Sequence, residues 1–245
     1  MKTIEQALSK VVDEYRRRLG QGSVELLRQV DGQLAISMGK MLRPKLVLLS
    51  TAILDENLVN DRRTILLATA AEMLHNASLL HDDVVDGSAE RRGLPSVNSR
   101  WDNRTAILTG DYHLAQVMQI MEEVGDRNAT QKLIETVIAM TTAELLQIEN
   151  HNNVSEMDTY SRITCGKTAR LMATCCAFGN PELEQFGLHY GMAFQLRDDI
   201  DDNESTPFTA QMLENEIKLA KNELADKENS IFVQELHNMT DKLVK

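Results

Sequence analysis

Aromatic residues make up only 4% of the 245-residue chain, too few for the stacking platforms that hold single-stranded nucleic acid. A formal net charge of -11 argues in the same direction, against a general nucleic-acid surface, although it leaves room for a local basic pocket. Cysteine is scarce. Cys165, Cys175 and Cys176 show neither a CxxC spacing nor histidines at zinc-like intervals, and the adjacent pair cannot readily bridge. Reduced thiols and a cytoplasmic location are therefore expected. Long apolar runs are lacking too, the best lying around 46–54, well short of a membrane span. The opening Met1-Lys2-Thr3-Ile4-Glu5-Gln6 has no signal-peptide core, so membrane contact is expected to be peripheral at most. Alternation and hairpin signals are poor throughout. The four prolines, Pro44, Pro95, Pro181 and Pro207, fall where elements could end or begin.

What remains is helical periodicity. Val24, Leu26, Leu27, Val30 and Leu34 form one apolar stripe. Further helices are predicted over 42–53, with Pro44 tolerable in the first turn, and over 62–86. The polar stretch 87–100 reads as a loop or broken connection. Helical patterning then resumes over 104–123, 129–149, 157–178 and 181–201, and a tail of one or two short amphipathic helices follows from Thr209. An all-α fold in one domain spanning 1–245 is expected, with apolar residues at 42% and charged residues at 26%, as in an ordinary folded protein.

Two acidic clusters interrupt this pattern, His81-Asp82-Asp83-Val84-Val85-Asp86 and Asp198-Asp199-Ile200-Asp201-Asp202. Carboxylates four apart share a helix face, and such density is unfavourable unless a cation sits among them. Oxygen-only ligands favour a hard ion, and Mg²⁺ is the usual partner where substrate phosphates complete its shell. The bland alternative is a solvated helix end. Arg91 and Arg92 read either as ion-pair partners of these acids or as diphosphate clamps. Lys40 and Arg43, alone, read as a surface patch near a helix start. Gly166-Lys167-Thr168 lacks the glycine spacing of a phosphate loop, and His75 alone is a satisfied core histidine.

The order of these pieces carries a resemblance. Gly39-Lys40-Met41-Leu42-Arg43-Pro44, Leu74-His75-Asn76-Ala77-Ser78-Leu79-Leu80, Arg91-Arg92-Gly93, Gly110-Asp111-Tyr112, Lys167-Thr168-Ala169 and Phe194-Gln195-Leu196-Arg197-Asp198-Asp199 follow one another as in the trans-isoprenyl diphosphate synthases, the polyprenyl synthetase family. That resemblance implies an all-helical fold around a deep central cavity, with the two acidic helices facing each other. It implies a dimer, with a heteromeric partner subunit left open. Asp82, Asp86 and Asp198 would ligate Mg²⁺, about three ions with bound diphosphate, and Asp83, Asp199 and Asp202 would support them. Arg91 and Lys167 would hold an allylic diphosphate. Lys40, Arg43, His75 and Arg92 would hold isopentenyl diphosphate, and Thr168 and Gln195 would lie near the reacting carbons. Small Ala77 and Ser78 imply a product in the hexaprenyl-to-decaprenyl range.

The chain departs from the family pattern twice. Met41 stands where a basic residue is common, and no lysine occurs between Asp202 and Lys218, where relatives carry a lysine-containing lid. Two readings follow: a Mg²⁺-dependent prenyltransferase, or a non-catalytic subunit that binds diphosphate or prenyl tails. A four-helix di-metal enzyme would instead need Glu-x-x-His ligand patterns.

Overall fold

A computed structural model describes residues 1–150, 156–202 and 209–244. Its helices are α1 (Lys2–Leu19), α2 (Glu25–Ile36), α3 (Leu42–Asp55), α4 (Arg62–Val85), α5 (Val97–Arg100), α6 (Asn103–Val124), α7 (Arg127–Glu149), α8 (Met157–Thr164), α9 (Arg170–Gly179), α10 (Glu184–Asp201), α11 (Thr209–Asn222) and α12 (Ile231–Asp241). Among the described residues, strand is confined to β1 (Glu90–Arg91) and β2 (Leu94–Pro95), paired antiparallel. The fold is all-α. No helix among the described residues is long and apolar enough to cross a membrane.

The chain divides into two compact units. The first comprises 2–45 and 60–126; the second comprises Met1, 46–59 and 127–245. In the first unit α4 is the central element, and it packs against α1 and α6. It is buried without interruption from Thr64 to Leu74, as expected of a core helix that is apolar on every face. α1 stands outside the helices expected from sequence, although Ile4, Ala7, Val11, Tyr15 and Leu19 recur at helical spacing and are all buried. Its many charges obscure that stripe. Arg18, itself 3% exposed at its side chain, bridges Glu14 and Glu123. Burial alone would raise the Glu14 carboxyl, but Arg17, Arg62 and Arg18 outweigh it and hold that carboxyl well below its usual range.

The apolar stripe predicted for α2 is corrected at its start. Val30 is buried, but Val24, extended at the helix entrance, and Leu26 are exposed. The polar stretch 87–100 contains the hairpin and α5. Arg92 and Gly93, with φ of 53° and 76°, make the type I′ turn that suits a two-residue hairpin.

In the second unit α10 packs against α9 and α11. The helix expected over 157–178 is broken into α8 and α9 by a π turn at Cys165–Ala169, where the Arg170 N–H reaches back five residues to the Cys165 carbonyl. That turn lies against α7 and α10. Likewise the segment predicted over 181–201 begins as a short 3₁₀ turn at Pro181–Leu183 before α10. Burial pushes the Cys176 thiol up to about 12, so it is an inert core residue.

Candidate active site

The first acidic cluster closes α4. Asp82 and Asp83 occupy its last turn, and Asp86 caps it by donating its N–H to the Asp82 carbonyl at 2.8 Å. The aspartates are not equivalent. Asp82 is partly buried and Asp86 exposed, whereas Asp83 is 3% exposed and is gripped by Arg91 through Nε at 2.9 Å and a very short Nη2 contact. The Asp83 carbonyl accepts from Ser88 N and Asn98 Nδ2, each at 2.9 Å. Asp83 therefore anchors the hairpin to the helix end. The hairpin turn in turn places Arg92, whose Nη1 donates to the Ser37 carbonyl at 2.9 Å and to Asn76 Oδ1 at 3.3 Å. Asn76, Leu79, Asp83, Arg91 and Arg92 line one cleft.

A basic neighbourhood surrounds His75, two turns before Asp82 on α4. Burial first, then Arg43, Arg92 and Arg91, hold its imidazole well below the ordinary histidine value. It is neutral at physiological pH and sits in a positive field, an arrangement suited to an anion. Glu72, one turn earlier and 2% exposed, balances that field from below. Burial raises its carboxyl, while Arg43 and Arg92 oppose the rise. Asn76 Nδ2 donates to the Glu72 carbonyl at 2.8 Å and to Oε1 at 3.3 Å; Oε2 has no hydrogen-bond partner. Lys40 is exposed just ahead of α3, and Met41 between it and Arg43 adopts φ 52° while buried. A left-handed non-glycine residue there is strained backbone, at the segment that positions both cations.

The remaining candidates lie in the second unit, and three of them, Thr168, Gln195 and Asp199, form a continuous chain of hydrogen bonds. Thr168 Oγ1 donates to Gln195 Oε1 at 2.6 Å, and Gln195 Nε2 donates to Asp199 Oδ1 at 2.8 Å. The Tyr160 hydroxyl donates to Asp199 Oδ2 through a very short contact. Burial and the Asp199 carboxylate both push the Tyr160 phenol up, so it remains a donor. With both oxygens engaged, Asp199 is a fixing group for Gln195. Asp198 lies on the last turn of α10, and Asp202 caps that helix with its N–H on the Asp198 carbonyl at 2.9 Å. Lys167, on the π turn, reaches α7.

Among the described residues, no three histidine, cysteine, aspartate or glutamate side chains are grouped so as to hold a metal ion. The donor chemistry nonetheless fits Mg²⁺. The ion binds through one or two carboxylates and completes its shell with waters and substrate phosphate, which is what a pair such as Asp82 and Asp86 can offer. The segment 203–208, where the shortened lid was expected, lies outside the described residues. Sequence reading passed over Glu72, Glu144, Gln147 and Tyr160. Glu144 and Gln147 sit three apart on α7 as candidates for one partner, and Tyr160 opens the segment that contains Lys167.

The family model for polyprenyl synthetase matches residues 24–212, which takes in every candidate residue above. The chain belongs to the polyprenyl synthetase family. Within the family it is 35% identical over 208 residues to heptaprenyl diphosphate synthase component 2 of Geobacillus stearothermophilus, covering 80% of this chain and 62% of that protein. It is 34% identical over 199 residues to an all-trans-nonaprenyl-diphosphate synthase of Rhodobacter capsulatus, covering 77% of this chain and 61% of that protein. The polyprenyl synthetase chain thus spans about three-fifths of the length of the curated relatives it matches. The fold is that of a polyprenyl synthase from Caulobacter crescentus, solved with calcium and isoprenyl diphosphate, at a TM-score of 0.89, 22% identity and coverage of 98% and 94% of the two chains.

Proposed function

We propose that this polyprenyl synthetase is a Mg²⁺-dependent prenyltransferase that condenses isopentenyl diphosphate with an allylic diphosphate to make a medium- or long-chain trans-polyprenyl diphosphate. The reading rests on one observation above the others. The family match covers 24–212, a span in which Asp82, Asp86, Arg91, Lys167, Gln195 and Asp198 all fall. Asp82, Asp86 and Asp198 are proposed as Mg²⁺ ligands. The bound ions would neutralise charge that develops on the departing diphosphate. Arg91 and Lys167 take the allylic diphosphate, and Lys40, Arg43, His75 and Arg92 take isopentenyl diphosphate.

The chemistry needs a fixed positive environment more than a base. Breaking the allylic C–O bond leaves a diphosphate and an allylic cation, and fixed guanidinium and ammonium groups stabilise the former. The double bond of isopentenyl diphosphate attacks the cation, and the proton then lost can pass to the released diphosphate. His75, neutral among three guanidiniums, is accordingly a hydrogen-bonding group. The dipoles of Thr168 and Gln195, fixed through Asp199 and Tyr160, can face the developing carbocation in a water-poor site.

Chain length follows from the floor beneath the first cluster. Ala77 is fully buried and Ser78 partly so, and both are small. The product is proposed to fall between hexaprenyl and decaprenyl, as a precursor for a quinone or related lipid. The protein is proposed to act in the cytoplasm as a homodimer. A second reading, as the non-catalytic subunit of a heteromeric synthase, is favoured by one feature: the absence of lysine between Asp202 and Lys218. Incubation of the chain with Mg²⁺, farnesyl diphosphate and labelled isopentenyl diphosphate separates the two. Chain extension is expected, with shorter products from Ala77→Phe and from Ser78→Phe. No extension, even with a candidate partner added, would leave the subunit reading.

A further inference from the structure

Lys167 does not project alone. Its Nζ lies 2.7 Å from Glu144 Oε2 and 3.1 Å from Glu144 Oε1, and it donates to Gln147 Oε1 at 2.8 Å. Both partners come from one turn of α7, and none of the three side chains is fully exposed. The contact depends on a close fit of backbones. A Cβ at Gly166 would fall 2.5 Å from Ala143 Cβ and 2.9 Å from the Ala139 carbonyl oxygen, so only glycine lets the π turn lie flush on α7 beside Glu144.

An ammonium has three N–H donors. Glu144 and Gln147 together hold that of Lys167 from the α7 side. A lysine otherwise carries large rotamer freedom, most of it lost when it binds a ligand. Here that freedom is given up before a ligand arrives, which is the essence of preorganisation. We propose that Glu144 and Gln147 are positioning residues that fix the Lys167 ammonium with one N–H directed at a diphosphate oxygen. This rests on the proposed role of Lys167 as a diphosphate ligand and adds two residues to it. The negative charge of Glu144 opposes the anion, but the pair is partly exposed and the opposition is screened. Its hydrogen-bonding geometry is therefore the dominant contribution.

The test is calorimetric titration of the full chain with inorganic pyrophosphate in the presence of Mg²⁺, with thermal melting to verify that each variant folds. Lys167→Gln is expected to weaken pyrophosphate by about tenfold, and Glu144→Leu and Gln147→Leu each by roughly three- to tenfold. Glu144→Gln, which keeps an acceptor, should stay within about threefold of wild type. The decisive arm is the double variant. Glu144→Leu should add no further loss in the Lys167→Gln background, because its effect passes through that ammonium. The proposal is overturned if Lys167→Gln weakens binding while Glu144→Leu and Gln147→Leu do not. It is overturned equally if Glu144→Leu costs as much without Lys167 as with it. Should Lys167→Gln leave pyrophosphate affinity unchanged, the diphosphate role of Lys167 falls, and the positioning role with it. If Glu144→Leu fails to fold, Gln147→Leu and its double variant decide the matter alone.

Discussion

His75 shows how much of a residue's chemistry is set by its neighbours. A histidine on a helix of apolar residues is usually a satisfied core group, and nothing in its own sequence position says otherwise. Burial and three guanidiniums hold it neutral in the folded chain, whereas the unfolded chain binds a proton near pH 6.5. Below that value the unfolded state holds more protons, so stability is lost as pH falls from about 6.5 toward the depressed folded value. The loss attributable to one such group is about 1.4 kcal/mol per pH unit. His75→Gln should therefore flatten the pH dependence of urea unfolding between about pH 6.5 and 5.5. An unchanged slope would mean that His75 is protonated as readily folded as unfolded. The aspartates make a related point. Spacing put Asp82 and Asp86 on one helix face with Asp83 beside them, but the hairpin salt bridge between Asp83 and Arg91 joins residues across a turn. A helix period carries no information about such a partner. The sequence offered ion pairing and diphosphate clamping as alternatives for Arg91, and its Asp83 contact belongs to the first.

At the scale of elements, the long helices were legible because their apolar repeats are strong. α4, α6 and α7 lie within a few residues of the predicted spans, including the boundary after Asp86, where the acidic cluster and Gly87 end the pattern. α1 was missed because its stripe is diluted by eight charged residues between Lys2 and Arg18. The π turn was missed for a different reason. One extra residue in a helix changes the phase of a pattern without ending it, so 157–178 reads as a single helix although Cys165–Ala169 is wound differently. That local unwinding places Lys167 and Thr168 where α7 and Gln195 meet them, and it is held by the Gly166 contact. Gly166→Ala should drive a methyl into the Ala143 side chain and the Ala139 carbonyl. A loss of about 1–3 kcal/mol is expected, as in other overpacked sites, read as a lower urea midpoint with an unchanged m-value. A wild-type midpoint would show that the turn is not tightly seated on α7.

For the molecule as a whole, class and family were legible while architecture was only partly so. Few aromatics, few prolines and persistent helical periodicity excluded sheet architectures before any motif was considered, and the fold is all-α. The ordered motifs then named the polyprenyl synthetase family, to which the chain belongs. Periodicity could not foresee the division into two compact units, because it reports faces of single helices and not the density of contacts among them. The first acidic cluster lies in one unit and the second in the other. The central claim is that these carboxylates serve one Mg²⁺-dependent elongation reaction, and its most direct measurement is incorporation of labelled isopentenyl diphosphate into an allylic primer. Wild type, Asp82→Asn and Asp198→Asn should be compared side by side with Mg²⁺ and with chelator. Magnesium-dependent incorporation by wild type is expected, falling at least about a hundredfold in each variant, the scale of losing a key charge-stabilising group. No incorporation by wild type, or equal incorporation by all three, would contradict it.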